Sequence, residues 1–221
     1  MTEDRRWPHS SDPQTDVVID AKGLRALAHP VRVRLIGLLR LNGPSTATRL
    51  AEQLGLNSGA TSYHLRQLAA AGFVAEDTER GNARERWWRA VHQVTWWTDA
   101  DLAEEEPEAA LGYLRSIVAA HTLTAQTALN AYETMPVEWR HALDLSDMVL
   151  QLSPLEARAL AGELTEVIAR YRRLDPAAPA PEGTDRVAVV VHVLPEPQEV
   201  ADEGPTGSVG SEGPDRSGGR S

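Results

Sequence analysis

Apolar residues recur at helical spacing through the first third of the chain. The clearest stripe has apolar residues at i, i+4, i+7 and i+8, and consists of Val31, Leu35, Leu38 and Leu39. Three short breaks interrupt the pattern, at His29-Pro30, Asn42-Gly43-Pro44 and Gly55-Leu56-Asn57. The pattern predicts four short helices between about residue 24 and residue 72. Because the last two are joined by a three-residue turn that contains glycine, they predict a helix-turn-helix.

The fourth predicted helix has two distinct faces. Thr61, Leu65 and Leu68 cluster within about 60° of one another and are predicted to face the core. The opposite face begins with small residues and continues with hydrogen-bonding ones: Gly59, Ala60, Tyr63, Arg66 and Gln67, with Ser62 and His64 at its flanks. Small residues let a helix sit deep in a DNA major groove, where arginine and glutamine side chains bond base edges or phosphates.

A polar hairpin is predicted directly after this helix. Residues 73–79 and 84–91 read as strands around a turn at 80–83. Arginines in or beside the hairpin concentrate positive charge there, at Arg80, Arg84, Arg86 and Arg89. Such a wing reaches a minor groove or grips phosphates. The predicted DNA-binding residues lie on these two elements and at the start of the third helix: Thr46, Ser58, Gly59, Ala60, Ser62, Tyr63, His64, Arg66, Gln67, Arg80, Asn82, Arg84 and Arg86.

The distribution of charge changes the picture that the total charge gives. The chain of 221 residues has a formal net charge of -10, which alone would argue against a polyanion as partner. Residues 21–97, however, hold 11 basic and 5 acidic residues, a net charge of +6, so the remainder carries -16. A basic module inside an acidic protein indicates that one part binds a polyanion.

Three stretches of this module together resemble the winged helix-turn-helix of ArsR-type bacterial transcription regulators. They are LRALAHPVRVRLIGLL, ATRLAEQLGLNSGATSYHLRQLAAAGFV and RGNARERWWRA, and the resemblance covers about residues 20–92. It implies a recognition helix at residues 58–67 and a wing at residues 80–86. Metal-sensing members of the family use cysteine pairs, or His and Asp sets on terminal helices. This chain has no cysteine, so no metal site and no cofactor are predicted.

A long helix is predicted over residues 107–134, after an acidic stretch at 98–106. Its apolar residues follow a heptad pattern, and we expect a dimerisation seam at Leu111, Leu114, Val118 and Ala125. Regulators that bind two half-sites do so as two-fold dimers, which favours an intermolecular helix pair. A helix packed only on its own domain remains the alternative.

The rest of the chain predicts a strand, a helix and a strand. Residues 147–152 alternate with period two, Ser153-Pro154-Leu155-Glu156 is a capping box that opens a helix to about Leu174, and residues 186–194 are β-branched. The fold class is therefore α+β. The predicted divisions are a flexible leader (1–18), the winged helix-turn-helix (19–97), a dimerisation or effector α+β region (98–194) and a disordered tail (195–221).

The sequence offers little for catalysis. It contains no nucleophile elbow, P-loop, dinucleotide fingerprint or HExxH motif, and no two histidines are three or four residues apart. No apolar stretch is long enough to span a bilayer and no secretory signal is visible, so we expect a cytoplasmic protein. The predicted function is a homodimeric, sequence-specific DNA-binding transcriptional regulator, not an enzyme, with double-stranded DNA, itself and a possible small-molecule effector as partners. The alternative is a winged-helix module, for protein contacts or ligand sensing, whose main partner is not DNA.

Overall fold

The computed structural model describes residues 12, 14–80, 85–97 and 101–196. The chain divides into a unit that ends at Val191 and a short one that begins at His192, whose described residues, 192–196, contain no helix or strand. In the part of the chain described, no helix has the length and apolar character needed to cross a membrane. The predictions for Asn82, Arg84, most of the leader and almost all of the tail lie outside the described residues.

The N-terminal part contains the four predicted helices and two small sheets, one of two strands and one of three. The helices are α1 (Ala21–Leu27), α2 (Pro30–Asn42), α3 (Ala47–Leu54) and α4 (Ser58–Ala70). The strands of this part, numbered along the chain, are β1 (Asp16–Val18), β2 (Ser45–Thr46), β3 (Val74–Glu76), β4 (Trp87–Ala90) and β5 (Val94–Trp96). Each of these helices begins after a capping residue whose side chain accepts a hydrogen bond from a backbone N–H of the first turn. The capping residues are Asp20, His29, Thr46 and Asn57.

The predicted hairpin is present as β3 and β4, which pair antiparallel with Ala75 opposite Arg89. A third strand that the sequence pattern did not reveal, β2, pairs with the other edge of β4. Trp88 of β4 is buried against the helices, whereas Trp87 is half-exposed. This alternation is what a strand with one face on the core produces.

The predicted boundary of the leader was wrong by at least three residues. Asp16–Val18 form β1, which pairs in parallel with β5, and Val18 and Ile19 are buried. The cause is the β-branched run at 17–19, which finds a partner strand almost eighty residues away in sequence. Residues 16–18, predicted as the end of the flexible leader, are therefore a paired strand.

The core lies between α1, α2, α4 and a long helix, α6 (Pro107–Asn130), which follows the short helix α5 (Asp101–Glu105). Leu24, Leu35 and Leu65 are fully buried at its centre. Gly112 allows α6 to approach α1, since a Cβ there would lie 3.1 Å from the Cβ of Ala28. α6 is thus part of the same core as the helix-turn-helix.

The C-terminal region differs from the prediction. α7 (Val137–Ala142) and α8 (Pro154–Ala169) are helices, and the capping box at Ser153 is present, with Ser153 Oγ accepting from the Glu156 N–H. The strands predicted at 147–152 and 186–194 are absent: neither segment has regular secondary structure. Alternating and β-branched residues favour a strand only where a neighbouring strand takes up the backbone groups, and neither segment is paired in this way. Residues 101–196 therefore form helices and irregular chain, without the predicted strands.

Arg40, in the last turn of α2, connects that helix to β5 and to the loop before it. Its Nε donates to the His92 carbonyl and its Nη2 to Thr95 Oγ1, both at 2.8 Å. Burial lowers the pKa of Arg40 to about 10, which still leaves it charged at neutral pH. The guanidinium fixes the loop before β5 against α2.

A buried carboxylate connects β1, β5 and the C-terminal region. Asp16 accepts a hydrogen bond from Trp96 Nε1 at 2.8 Å and from Arg173 Nη1 at 2.9 Å. Burial alone would raise the pKa of Asp16, but the hydrogen bonds from Trp96 and Arg173 outweigh it and the pKa is lowered. The carboxylate is therefore held charged by the partners that surround it.

We expect the Asp16→Ala substitution to lower the free energy of unfolding by about 1–3 kcal/mol, because it removes the buried charged acceptor of the Trp96 and Arg173 hydrogen bonds. Urea titration followed by tryptophan fluorescence measures the change. Asp147→Ala is the matched control, since Asp147 is exposed. Equal stability of the two variants would show that the Asp16 contacts contribute nothing.

Candidate nucleic-acid interface

α4 is fixed in place by its cap and its apolar face. Gly55, in the left-handed conformation at φ 66°, ends α3 and reverses the chain. Asn57 Oδ1 then accepts from the Ala60 N–H at 2.7 Å and begins α4. Leu65 and Leu68 are fully buried, as predicted for the core-facing side. The orientation of the opposite face is thereby set.

The exposed face of α4 consists of the predicted residues. Ser58, Gly59, Tyr63, Arg66 and Gln67 are exposed, with Tyr63 near the centre of the face at 53% exposure. Ala60, predicted on this face, is half-buried, as are Ser62 and His64 at its flanks. The face therefore presents a phenol, a guanidinium and an amide above a helix start made of small residues.

A cleft of about 310 Å³ lies between α4, the start of α3 and the hairpin. Its lining brings together the exposed side of α4 and the hairpin: Thr46, Ala47, Thr48, Ser62, Arg66, Glu85, Arg86 and Trp88. Arg66 and Arg86, predicted from separate motifs, thus border one concave surface. The arrangement fits an anionic backbone that runs between a recognition helix and a wing.

Two of the hairpin arginines already have acidic neighbours. Arg86 Nε lies 3.2 Å from Glu76 Oε2, and Arg80 Nε lies 3.5 Å from Asp77 Oδ2. Arg86 also lies over the Trp88 ring, 5.8 Å from its centroid. All of these arginine side chains are more than half exposed, so the ion pairs are weak and can exchange for a phosphate.

The structure adds residues that the sequence pattern did not single out. Thr48 lines the cleft, and Arg49 on α3 stacks over the Trp87 ring at 4.9 Å from its centroid. Thr46, in contrast, is buried at 5% exposure, and its hydroxyl accepts from the Arg49 N–H to cap α3. Its place in the structure is that of a helix cap rather than an exposed contact.

His64 packs against the cap of α2 rather than pointing outward. Its ring centroid lies 4.5 Å from that of His29, whose Nδ1 accepts from the Val31 N–H. Burial lowers the pKa of His64, and the nearby His29 and Arg32 lower it further. His64 therefore supports α4 from beneath. Among the described residues, no three His, Asp or Glu side chains are grouped so that they could hold a metal ion.

α6 also presents two faces. Ala110, Tyr113 and Ser116 are buried against the winged-helix core. The predicted seam faces away from that core: Leu111, Leu114 and Val118 are between 45% and 48% exposed, and Ala125 is exposed. An apolar row on the outside of a long helix leaves a surface that a second helix could cover.

Residues 27–77 match the protein family described as "Helix-turn-helix domain". A curated protein from Mycobacterium tuberculosis (strain ATCC 25618 / H37Rv), "HTH-type transcriptional regulator NmtR", is 44% identical over 57 residues, which are 26% of this chain and 47% of that protein. This chain therefore spans about half the length of the relative. The two matches confirm the resemblance to ArsR-type regulators for the helix-turn-helix segment.

Among solved structures, the chain is similar to "Structure of Lactococcus lactis ZitR, C30AH42A mutant in apo form", at 16% sequence identity and a TM-score of 0.29. The similarity covers 64% of this chain and 83% of that one. A TM-score this low carries no argument about the arrangement of the whole chain.

Proposed function

We propose that this protein is a sequence-specific DNA-binding transcriptional regulator that acts as a homodimer. The observation that carries the proposal is the exposed face of α4, which is held outward by the buried face beneath it and bordered by Arg66 and Arg86. The match of residues 27–77 to a helix-turn-helix family supports it independently.

α4 has the side chains that base recognition requires. An arginine such as Arg66 makes paired hydrogen bonds to guanine, and a glutamine such as Gln67 makes them to adenine. Gly59 and the half-buried Ala60 at the helix start leave room for close approach of the backbone. Tyr63, between these groups, offers both an apolar ring and a hydroxyl.

The cleft beside α4 supplies contacts that do not depend on sequence. Arg86 from the hairpin and the hydroxyls of Thr48 and Ser62 border it, and these groups bond phosphate oxygens. Arg86 would exchange its exposed ion pair with Glu76 for a phosphate of the DNA backbone, where negative charges are closely spaced and the contact releases condensed counterions. Such contacts fix the orientation of α4 in the groove and make binding salt-dependent.

Dimerisation through α6 supplies the second recognition helix. A single module buries only about 600–1,000 Å² of protein surface on DNA, which seldom gives tight binding at physiological salt. The seam at Leu111, Leu114, Val118 and Ala125 is apolar and exposed, and α6 packs on the module through its other face. A second copy of the chain covers this row in our proposal and places two modules on two half-sites.

We expect Arg66→Ala and Tyr63→Ala to weaken binding to a selected DNA site more than binding to random DNA. Loss of a base-edge contact removes about 1–3 kcal/mol of discrimination. Fluorescence anisotropy on both duplexes, with the selected site taken from an in vitro selection, measures the two affinities.

The matched controls are Arg158→Ala and Tyr171→Ala, which remove the same side chains from exposed positions in the C-terminal region. Both controls should bind like the wild type. If Arg66→Ala and Tyr63→Ala weaken selected and random DNA equally, α4 does not read bases.

We expect the Leu114→Glu, Val118→Glu double variant to sediment as a monomer with a folded N-terminal module, because both side chains are on the exposed seam. Without the linked second module, affinity for a two-half-site operator should fall roughly 100-fold or more. Analytical ultracentrifugation and circular dichroism measure assembly and folding.

Ala119→Glu, Gln126→Glu is the matched control, since it places two charges on exposed positions of the same helix, roughly 110° around the axis from the seam. This control should remain dimeric. A monomeric wild type at micromolar concentration, or a dimeric Leu114→Glu, Val118→Glu variant, would exclude α6 as the interface.

A further inference from the structure

A second cleft, of about 210 Å³, lies on the other flank of α4. The α4 side of the cleft consists of Gln67 and Ala70, with Ala71 directly after the helix. The opposite side is formed by α1 and α2, which contribute Lys22, Arg25, Ala26 and Arg32. The predicted DNA-binding residues include none of these α1 and α2 side chains.

The charged residues that line this cleft are all positive. Three cations line it, and none of the described residues that line it is acidic. Arg25 also forms an ion pair with Glu106, and Arg32 Nη2 donates to the Arg25 carbonyl at 3.4 Å. The Arg25 guanidinium is thus held at Glu106, and the Arg32 guanidinium is held against the backbone of α1.

Two of the three cations have hydrogen-bond donors that a ligand in the cleft could use. Arg32 Nε is buried and has no hydrogen-bond partner among the described residues. Lys22 is exposed at the edge of the cleft. Burial lowers the pKa of Arg32, which is the direction expected for a cation without an anion beside it. An anionic oxygen in the cleft would relieve both the unpaired donor and the excess of positive charge.

The position of the two clefts around α4 matches the geometry of a major groove. At 100° per residue, Ser62 and Arg66 of the first cleft lie roughly 110° around the helix axis from Gln67, Ala70 and Ala71 of the second. Tyr63 lies between the two flanks on the exposed face. A helix in a major groove, which is about 12 Å wide, has a phosphate backbone on each side.

We propose that the cleft between α1, α2 and α4 is a second phosphate-binding site, which holds the DNA backbone on the groove wall opposite the wing. The inference rests on the proposed DNA-binding function and extends it to Lys22, Arg25 and Arg32. Each phosphate contact releases condensed counterions, so contacts at this cleft add to the salt dependence of binding on any DNA sequence.

The first test compares salt dependence in variants of the full chain. For Lys22→Ala, Arg32→Gln, the negative slope of log affinity against log salt on random duplex DNA should become shallower by about two units, one for each contact removed. Lys22→Ala alone changes an exposed side chain and should make it shallower by about one unit. Arg158→Ala, which removes an exposed cation from α8, should leave the slope unchanged.

The second test uses the fact that Lys22 is the only lysine in the chain. Acetylation of its amine, followed by mass spectrometry, should be slower when DNA is bound, while the N-terminal amine serves as the internal reference. This measurement needs no substitution, so it does not depend on the folding of a variant. Unchanged acetylation of Lys22 in the DNA complex would overturn the inference.

The outcomes separate the inference from the function on which it rests. If the wild type shows no salt-dependent DNA binding, the proposed function itself fails. If the wild type binds and Arg86→Ala makes the slope shallower, but Lys22→Ala, Arg32→Gln does not, only the second site is refuted. Saturable binding of inorganic phosphate that this double variant abolishes, with an unchanged DNA slope, would indicate a site for a free phosphorylated molecule and would also refute it.

Discussion

Burial of one face of α4 is the constraint on which the rest of the interface depends. Leu65 and Leu68 are fully buried, and removing such a side chain from water contributes about 1.5–3 kcal/mol each. Because these residues fix the rotation of the helix about its axis, the opposite side of α4, which includes Tyr63, faces solvent. The same rotation places Arg66 beside the wing and Gln67 beside α1 and α2. A single packing interaction therefore defines the recognition face and both clefts.

α6 extends this constraint from the module to the assembly that we propose. Tyr113 and Ser116 anchor it in the winged-helix core, and Tyr113 also packs edge-on against Trp97. Since the helix is rigidly joined to the module, a partner helix on its outer face would hold the two recognition helices at a fixed separation. The distance between half-sites would then be set by α6 and not by a flexible linker.

Local chemistry explains which parts of this structure could be predicted from the sequence. The helices and the faces of α4 could be predicted because their signals act within a few positions of the sequence. These signals are the caps at Thr46 and Asn57, the prolines and glycines at helix ends, and the period of the apolar residues. β1 escaped prediction because its partner, β5, is distant in sequence. The strands expected at 147–152 and 186–194 show the converse: their β-favouring residues find no neighbour.

The sequence pattern also did not reveal side chains that come together only when the chain folds. Lys22, Arg32 and Arg49 belong to different helices, and nothing in their spacing places them beside α4. The sequence indicated a basic module from its charge, but only the packing of α1, α2 and α3 around α4 distributes that charge over two flanks. This is why the exposed residues of α4 could be named from the sequence, whereas the cations of the second proposed phosphate site could not.

Chemical probing of the bound DNA tests the central claim, that α4 enters a major groove. Dimethyl sulfate methylates guanine N7 in the major groove and adenine N3 in the minor groove. On a duplex chosen by in vitro selection, the protein should protect guanine N7 within each half-site, and that protection should depend on Arg66. Protection confined to adenine N3, or none at either atom in a saturated complex, would contradict the account.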